Sequence, residues 1–412
     1  MIRKRSFYSL IFTMFNDGLG WGIVLTIFAP LVLDVNNGFL PADTSIEKRN
    51  VLLGFLIACY PFTQFLFMPF IGALSDHLGR KKVLEWTILS GALTFVLSAL
   101  SVWWGSIVCL VISRILAGIC SANAATAQAA IADMSSEREK GKNLALSGIA
   151  GGISWIVGPP LGGILSSHTY FAWADFSTPL WFAAALFFIN YVWIVWGFSE
   201  TRVKDHREKH DWKQEIRDLS KLSRIPQMSG WLVISGLFFL GWGFFILFYP
   251  ALLVQHFHVD QTVIGLFSGY QAIFWLIGAT AMNRGLALCF LPEVFILGVL
   301  PIVGVLVAAL AYTPTTMWWY VILPCLAMGG SILWNSILAL LSNLAGKENQ
   351  GKVFGVSQSL MSFGMFVSSI LAGSFAAISE KSPLLASSLC LIGTGILACV
   401  HHFRSRRNAS FE

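Results

Sequence analysis

The segment GALSDHLGRKKVL, Gly72 to Leu84, stands between two apolar runs, 50–74 and 83–103. Gly72 and Gly79 permit tight packing and a sharp turn. Asp76 sits where a helix ends, and Arg80, Lys81 and Lys82 hold the connection in water. The runs on either side decide the fold, because each is long enough to cross a hydrocarbon core of about 30 Å as a helix. Lipid offers backbone N–H and C=O groups no partner, so such runs must be helices rather than loops.

Working outward, the same kind of run recurs at 6–33, 106–132, 143–166, 178–198, 229–254, 262–281, 292–312, 317–343, 353–378 and 384–403, making twelve expected spans. The bulk numbers agree. The 412 residues are 56% hydrophobic and 12% charged, with a mean hydropathy of +0.71. Soluble domains carry about twice that share of charge. The opening MIRKRS has the look of a signal peptide, but the apolar run after it is too long and lacks a small-residue cleavage site, so it reads as a retained helix.

The basic residues set the expected orientation. Arg3, Lys4 and Arg5, the Arg80–Lys82 cluster, Arg138, Lys140 and Lys142, the charged stretch after span 6, Arg284, Lys347, Lys352, Arg404, Arg406 and Arg407 all fall on one side of a twelve-span model. Lys48, Arg49 and Lys381 fall opposite, and Arg114 lies within a span. This asymmetry puts both termini in the cytoplasm and makes the net charge of +6 a topology signal, not a nucleic-acid one. The seven cysteines lie in or beside apolar segments without C-x-x-C spacing and read as packing residues. The one Asn-x-Ser sequon, Asn408 to Ser410, is on the cytoplasmic side, which favours a bacterial inner membrane.

The polar segment 200–228 divides the chain into six-span halves, 1–199 and 229–412. EKGKNLALSGIAGGISWIVGPPLGG (139–163) aligns with NQGKVFGVSQSLMSFGMFVSSILAG (349–373), so that Gly141, Lys142 and Gly163 fall on Gly351, Lys352 and Gly373. A repeat at half the chain length means duplication, and duplicated halves are how many secondary transporters build one central site. The expected fold is an all-α membrane protein with twelve transmembrane helices in two pseudo-symmetric six-helix bundles.

The spacing G-x-x-x-D-x-x-G-R-K-K over Gly72 to Lys82 resembles the signature loop of the major facilitator superfamily, with His77 where that family usually has Arg. LVISRILAGICSANAATAQAAIAD, Leu110 to Asp133, is similar to its fourth-helix motif, including Arg114 and Gly118. GPPLGG, Gly158 to Gly163, resembles the antiporter motif, with Ser154 in place of its first glycine. Pro159 and Pro160 remove backbone donors and bend the helix, while Gly158, Gly162 and Gly163 let neighbouring helices approach. A merely bent packing helix is the alternative. FNDGLGWGIVLTIFAPL in span 1 and ETR after span 6 bring the chain nearest to proton-coupled drug exporters of the tetracycline type. In the second half the signature shrinks to NRGLAL (283–288) and GPPLGG becomes SSILAG. Glu293 lies at the edge of span 9, where such exporters carry an acid within the helix, so tetracycline itself is not the expected substrate. The resemblance implies an interdomain latch formed by Gly72, Asp76, Gly79, Arg80, Lys81 and Asp133, with Asp76 facing the N-terminal end of helix 11.

Asp17 is the one charge in span 1. A charge at mid-bilayer costs at least about 2.5–3.5 kcal/mol. Asp17 lies twelve residues beyond Arg5, about 18 Å along a helix, and Arg114 nineteen residues before Asp133, about 28 Å along its own before tilt. Both fall in the middle-to-outer membrane, and in the family fold helices 1 and 4 line the cavity. Asp17 is therefore the expected proton carrier and Arg114 its partner. A structural polar cap, with Asp17 bonded through Asn16 or to an adjacent helix, is the alternative.

Trp21, Trp242, Phe245, Tyr249, Gln271, Trp334, Asn335 and Gln358 are polar or aromatic residues within spans. Each alone is as compatible with packing; together they describe an apolar, aromatic pocket suited to a lipophilic or weakly cationic organic molecule. The expected function is proton-coupled export by alternating access, with protons, a small organic substrate and the bilayer as partners and the monomer as the working unit. A symporter importing a nutrient or siderophore is the alternative, and a transporter-like receptor a third reading. No nucleophile–base or metal-ligand cluster points to an enzyme, a metal or a cofactor.

Overall fold

The computed structural model describes residues 2–201, 225, 227–282, 285, 291–346 and 349–409. Most of the 200–228 segment, the NRGLAL loop apart from Gly285, Cys289 and Lys347 lie outside the described residues.

The described chain is helical, and twelve of its helical segments are long and apolar enough to cross a membrane. The helices are α1 (Ile2–Leu33), α2 (Ile46–Leu78), α3 (Arg80–Trp103), α4 (Ile107–Ile119), α5 (Asn123–Met134), α6 (Glu137–Leu165) and α7 (Thr178–Gly197). They continue with α8 (Met228–Phe257), α9 (Gln261–Ile277, prolonged by a π turn Gly278–Met282), α10 (Pro292–Ala311), α11 (Trp319–Ala345), α12 (Gln350–Ile378) and α13 (Ser382–Ala409).

α1, α2, α6 and α13 run a turn or more past the apolar runs, because a backbone that has begun to pair internally keeps doing so into the polar boundary. At α2 this matters. Ser45 caps the helix by accepting from the Lys48 N–H, so Arg49, expected as a loop charge outside, is in the first turn and 0% exposed. Its guanidinium donates to the carbonyls of Val32 (2.9 Å), Pro41 (2.9 Å), Thr44 (3.1 Å) and Leu40 (3.4 Å), which ties the end of α1 to the start of α2.

The fourth span, expected as one helix over 106–132, is two. α4 stops at Ile119 and α5 restarts at Asn123, with Cys120, Ser121 and Ala122 between them. Ser121 supplies the local cause: its backbone N–H (3.3 Å) and hydroxyl (2.8 Å) both go to the Gly118 carbonyl, a bond pattern that competes with helix continuation.

Two compact units form. One comprises Met1–His210 with His258–Gly269, and the other Asp211–Phe257 with Tyr270–Glu412. In the first, α1 lies along α6, α3 along α7 and α2 along α4; in the second, α8 lies along α12, α10 along α13, and the π turn against α11. The same pairing scheme therefore occurs twice, as the sequence repeat requires.

Small residues set the closest approaches in the first unit. A Cβ at Gly22 would lie 2.6 Å from Pro159 Cδ, one at Gly158 2.9 Å from the Leu19 carbonyl oxygen, and one at Gly162 3.0 Å from Ile23 Cα, while Gly18 faces the Ser154 hydroxyl. The other side of α6 meets the first turns of α9: a Cβ at Gly163 would lie 2.5 Å from the Gln261 carbonyl oxygen, and one at Gly269 2.6 Å from Pro160 Cγ. Both prolines are accommodated within a helix that continues to Leu165.

Candidate functional site: a buried acid at a helix break

Asp17 sits half-buried at the middle of α1. Its Oδ1 accepts from Asn123 Nδ2 at 3.3 Å. Asn123 is the first residue of α5 and only 3% exposed. The break in the fourth span thus delivers both an amide and the positive end of a half-helix to the carboxylate. The orientation of the amide follows from the acid: N–H must face a carboxylate, so Asn123 Oδ1 points elsewhere and is buried without a hydrogen bond, as is Thr126 Oγ1 one turn on. Sequence reasoning passed over Asn123, although an asparagine within an apolar span was a signal of the same kind as Asp17.

The direct Asp17–Arg114 pair expected from matching depths is not formed: no ion pair within 4.0 Å joins these two described residues. Arg114 is 4% exposed; Nη2 donates to Ser98 Oγ at 2.5 Å and Nε to Ser113 Oγ at 3.4 Å. The guanidinium lies 5.5 Å from the Phe28 ring centroid and 5.6 Å from that of Phe95. Phe28 is eleven residues beyond Asp17 on α1, a rise of about 16 Å. Depth counted between Cα atoms ignored the reach of the arginine, which two aromatic faces and two hydroxyls draw toward Phe28. Beside Asp17 on α1, Trp21 meets Tyr60 of α2 edge to face at 5.0 Å between ring centroids and lies 6.3 Å from Trp155.

A second polar cluster forms where α2 turns into α3. Arg80 pairs with Asp76 (2.9 Å) and Asp133 (3.1 Å) and donates to Ser75 (2.6 Å). Lys81 reaches the Val195 carbonyl at 2.9 Å. Gly79 has φ +97°, a conformation that favours glycine, and the Glu200 carboxylate lies against it. Glu200 accepts the backbone N–H groups of Arg80 and Lys81, both at 3.0 Å, capping α3. The ETR that begins at Glu200 was noted in the sequence without this role; a carboxylate after span 6 facing a helix that begins after glycine was the available signal. Gly72, expected in tight packing, has nothing within 4 Å of a built Cβ, because that face of α2 is open.

The aromatic residues of the second unit divide into packed core and partly open wall. Phe245 and Tyr249 are 0% exposed, with Tyr249 5.5 Å from Phe245 and 6.1 Å from Trp319. They are core in this conformation and offer no face to a ligand, which corrects their expected place in the pocket. Trp242 is likewise buried, 5.3 Å from Trp275 and seated on Gly330. Trp275, not anticipated, joins Trp242 to the half-buried Trp334 (5.9 Å), which meets Phe239 at 4.9 Å. Asn335 spends its amide on the Ser331 carbonyl one turn back, at 2.8 Å. Gln271 is buried and Gln358 half-buried.

A helical membrane chain with a repeated packing scheme and this acidic–basic turn is a secondary-transporter architecture. The model of the Major Facilitator Superfamily matches residues 10–369, and the chain belongs to that family. A tetracycline resistance protein of class E from Escherichia coli is 27% identical over 378 residues, 87% of this chain and 84% of that one. One of class H from Pasteurella multocida is 30% identical over 192 residues, 45% of each chain. Among solved structures, a D-xylose–proton symporter superposes with a TM-score of 0.74 at 15% identity, covering 95% of this chain and 97% of the other. The protein is a multi-pass membrane transporter of the major facilitator fold.

Proposed function

We propose that the chain is a proton-coupled exporter of a lipophilic or weakly cationic organic molecule, working as a monomer by alternating access with both termini in the cytoplasm. The observation that carries the reading is Asp17: a half-buried acid at the middle of a membrane helix, held by Asn123 at the one break in the fourth span. Support for export comes from the tetracycline resistance relatives and from GPPLGG, whose Gly158 and Gly162 seat α6 against α1 at Leu19 and Ile23. Asp17 is the proton-carrying group; Arg114 is a buried cation that acts on it from a distance. Trp21, Trp155, Trp334 and Gln358, all half-buried, are the candidates for substrate contact. The Asp76–Arg80–Asp133 cluster is the latch that biases one conformation over the other.

The test is transport in inverted vesicles under an imposed pH gradient, with a panel of lipophilic organic cations and neutral analogues. Substrate-elicited proton release from the lumen is expected, and Asp17→Asn abolishes it while leaving insertion intact. Undiminished uphill transport by Asp17→Asn removes Asp17 from the mechanism. The fold match to a D-xylose–proton symporter keeps import as the second reading; proton and substrate moving in the same direction would select it.

A further inference from the structure

The last turn of α7 is tied to the first turns of two other helices. Ser6 Oγ on α1 donates to the Gly197 carbonyl at 3.3 Å and accepts from the Ser199 N–H at 3.1 Å. Lys81 Nζ on α3 donates to the Val195 carbonyl at 2.9 Å. Three helix ends therefore meet at one level, with α7 packed against both α1 and α3. Trp196 stands between the two anchored carbonyls and is 85% exposed.

The outer face of this corner combines free cations with aromatic rings. On α1, Arg5, Tyr8 and Phe12 recur on one helical face. Arg5 and Tyr8 are exposed, and Phe12 meets Trp193 of α7 at 5.4 Å. On α3, Lys82 and Trp86 are exposed, with Lys82 Nζ 5.3 Å from the Trp86 ring centroid. The carboxylates at the joint are already engaged. Glu85 faces Lys81 Nζ at 3.9 Å, and Glu200 accepts the backbone N–H groups of Arg80 and Lys81. Among the described residues no carboxylate pairs with Arg5 or Lys82. Deeper along α7, Phe188 and Ile189 continue the exposed face as an apolar wall.

Indole rings settle at the level of lipid headgroups, and each basic residue at a membrane surface attracts anionic lipid. We propose that this corner is a seat for an anionic phospholipid. Arg5 and Lys82 flank its phosphate from two helices, Trp196 lies at headgroup level between them, and the acyl chains run down over Trp193, Phe188 and Ile189. The proposal stands whether or not Asp17 carries a proton. The first turn of α6 supplies a contrast: Arg138 and Lys142 are exposed there too, but the first aromatic residue on that helix is Trp155.

The test is native mass spectrometry of the full-length protein, stripped of lipid in detergent and titrated with phosphatidylglycerol or with phosphatidylcholine of the same chains. The parent should bind phosphatidylglycerol more tightly. Arg5→Gln with Lys82→Gln should weaken that binding about 25-fold, at about fivefold per cation, and leave phosphatidylcholine unchanged. Arg5→Lys with Lys82→Arg should bind as the parent does. Arg138→Gln with Lys142→Gln removes the same charge away from the corner and should also bind as the parent does. Equal losses in the two glutamine pairs would make the effect one of net charge and overturn the site, as would no loss in the Arg5–Lys82 pair or equal affinity of the parent for the two lipids. Soluble glycerol phosphate, which has the charge without the chains, should not compete; competition would make the corner a site for soluble phosphates and overturn the lipid assignment.

Discussion

The contact between α1 and α6 makes a quantitative claim that one methyl group can test. A Cβ at Gly158 would lie 2.9 Å from the Leu19 carbonyl oxygen and 3.1 Å from Leu19 Cα. Both are backbone atoms that cannot rotate aside, and both distances fall short of the optimum of about 3.5–4.0 Å for carbon contacts. Gly158→Ala therefore forces the two helices apart by several tenths of an ångström, and overpacking of this kind costs about 1–3 kcal/mol. Against that stands the gain of about 0.5–1 kcal/mol from replacing glycine by alanine inside a helix. Destabilisation wins. Gly72→Ala is the control: it also lies inside a helix and within a sequence motif, but nothing stands within 4 Å of its Cβ. Only the helix gain applies there, so the sign reverses.

The two variants are compared with the parent by heating the full-length protein in micelles with a thiol-reactive dye that reports exposure of buried cysteines such as Cys59. For a unit of some 200 residues each kcal/mol moves the midpoint by about 2–4 °C. Gly158→Ala should melt a few degrees below the parent and Gly72→Ala at or slightly above it. A Gly158→Ala protein that melts as high as Gly72→Ala would show that α1 and α6 are not in backbone contact, and the seam described above would have to be abandoned.

Three further perturbations have defined outcomes. Glu200→Ala leaves two N–H groups at the start of α3 uncapped; a loss of about 0.5–2 kcal/mol is expected in the same thermal assay, with Glu200→Gln intermediate. Arg49→Met leaves four carbonyls at the α1–α2 connection without their charged donor, worth about 1.5–3 kcal/mol, and should make residues 34–45 cleavable by added protease under conditions that spare the parent. Partial burial alone would push the Asp175 carboxyl up, but hydrogen bonds from the Ser177 and Thr178 backbones and hydroxyls outweigh it and hold the group below its ordinary 3.8. Its contribution is therefore present above the unfolded value and lost as pH falls through the lower folded one. Asp175→Asn should be less stable than the parent at pH 7 and indistinguishable from it once the parent's Asp175 carboxyl is protonated in both folded and unfolded states; a gap that persists in acid would refute the assignment.

What the sequence disclosed follows from what lipid demands. Runs of apolar residues must be helices, so the spans were countable, and a repeat carrying Gly141, Lys142 and Gly163 onto Gly351, Lys352 and Gly373 exposed the duplication. Interruptions within a run were less legible. Cys120, Ser121 and Ala122 are as compatible with a membrane helix as their neighbours, and only the diversion of Ser121 onto Gly118 ends α4. Depth along the chain placed Asp17 and Arg114 at comparable levels but could not say which way an arginine about 6 Å long would lean; Phe28 and Phe95 decided that. Exposure of aromatics was the least readable property, since Trp242, Phe245 and Tyr249 carry the same chemistry whether they line a cavity or fill a core.

The surroundings of Asp17 differ in stiffness on its two sides, and this bears on the proposal that it loads a proton in one conformation and releases it in another. Gly18 and Gly22 press α1 against Ser154 and Pro159 of α6, and Gly158 and Gly162 return the contact on Leu19 and Ile23, so on this side the backbones themselves touch over two turns. Packed backbones have no rotamers to exchange, and α1 and α6 must move as one body. Toward α5 the acid is held by a single amide at 3.3 Å, from a half-helix joined to α4 by three non-helical residues. A small swing of α5 about that joint breaks the bond and removes the half-helix dipole from the carboxylate without disturbing the α1–α6 seam. The glycines of the antiporter-like motif thus need not touch substrate or proton to matter: by fixing one wall of the site they leave the broken helix as the part free to change what Asp17 sees.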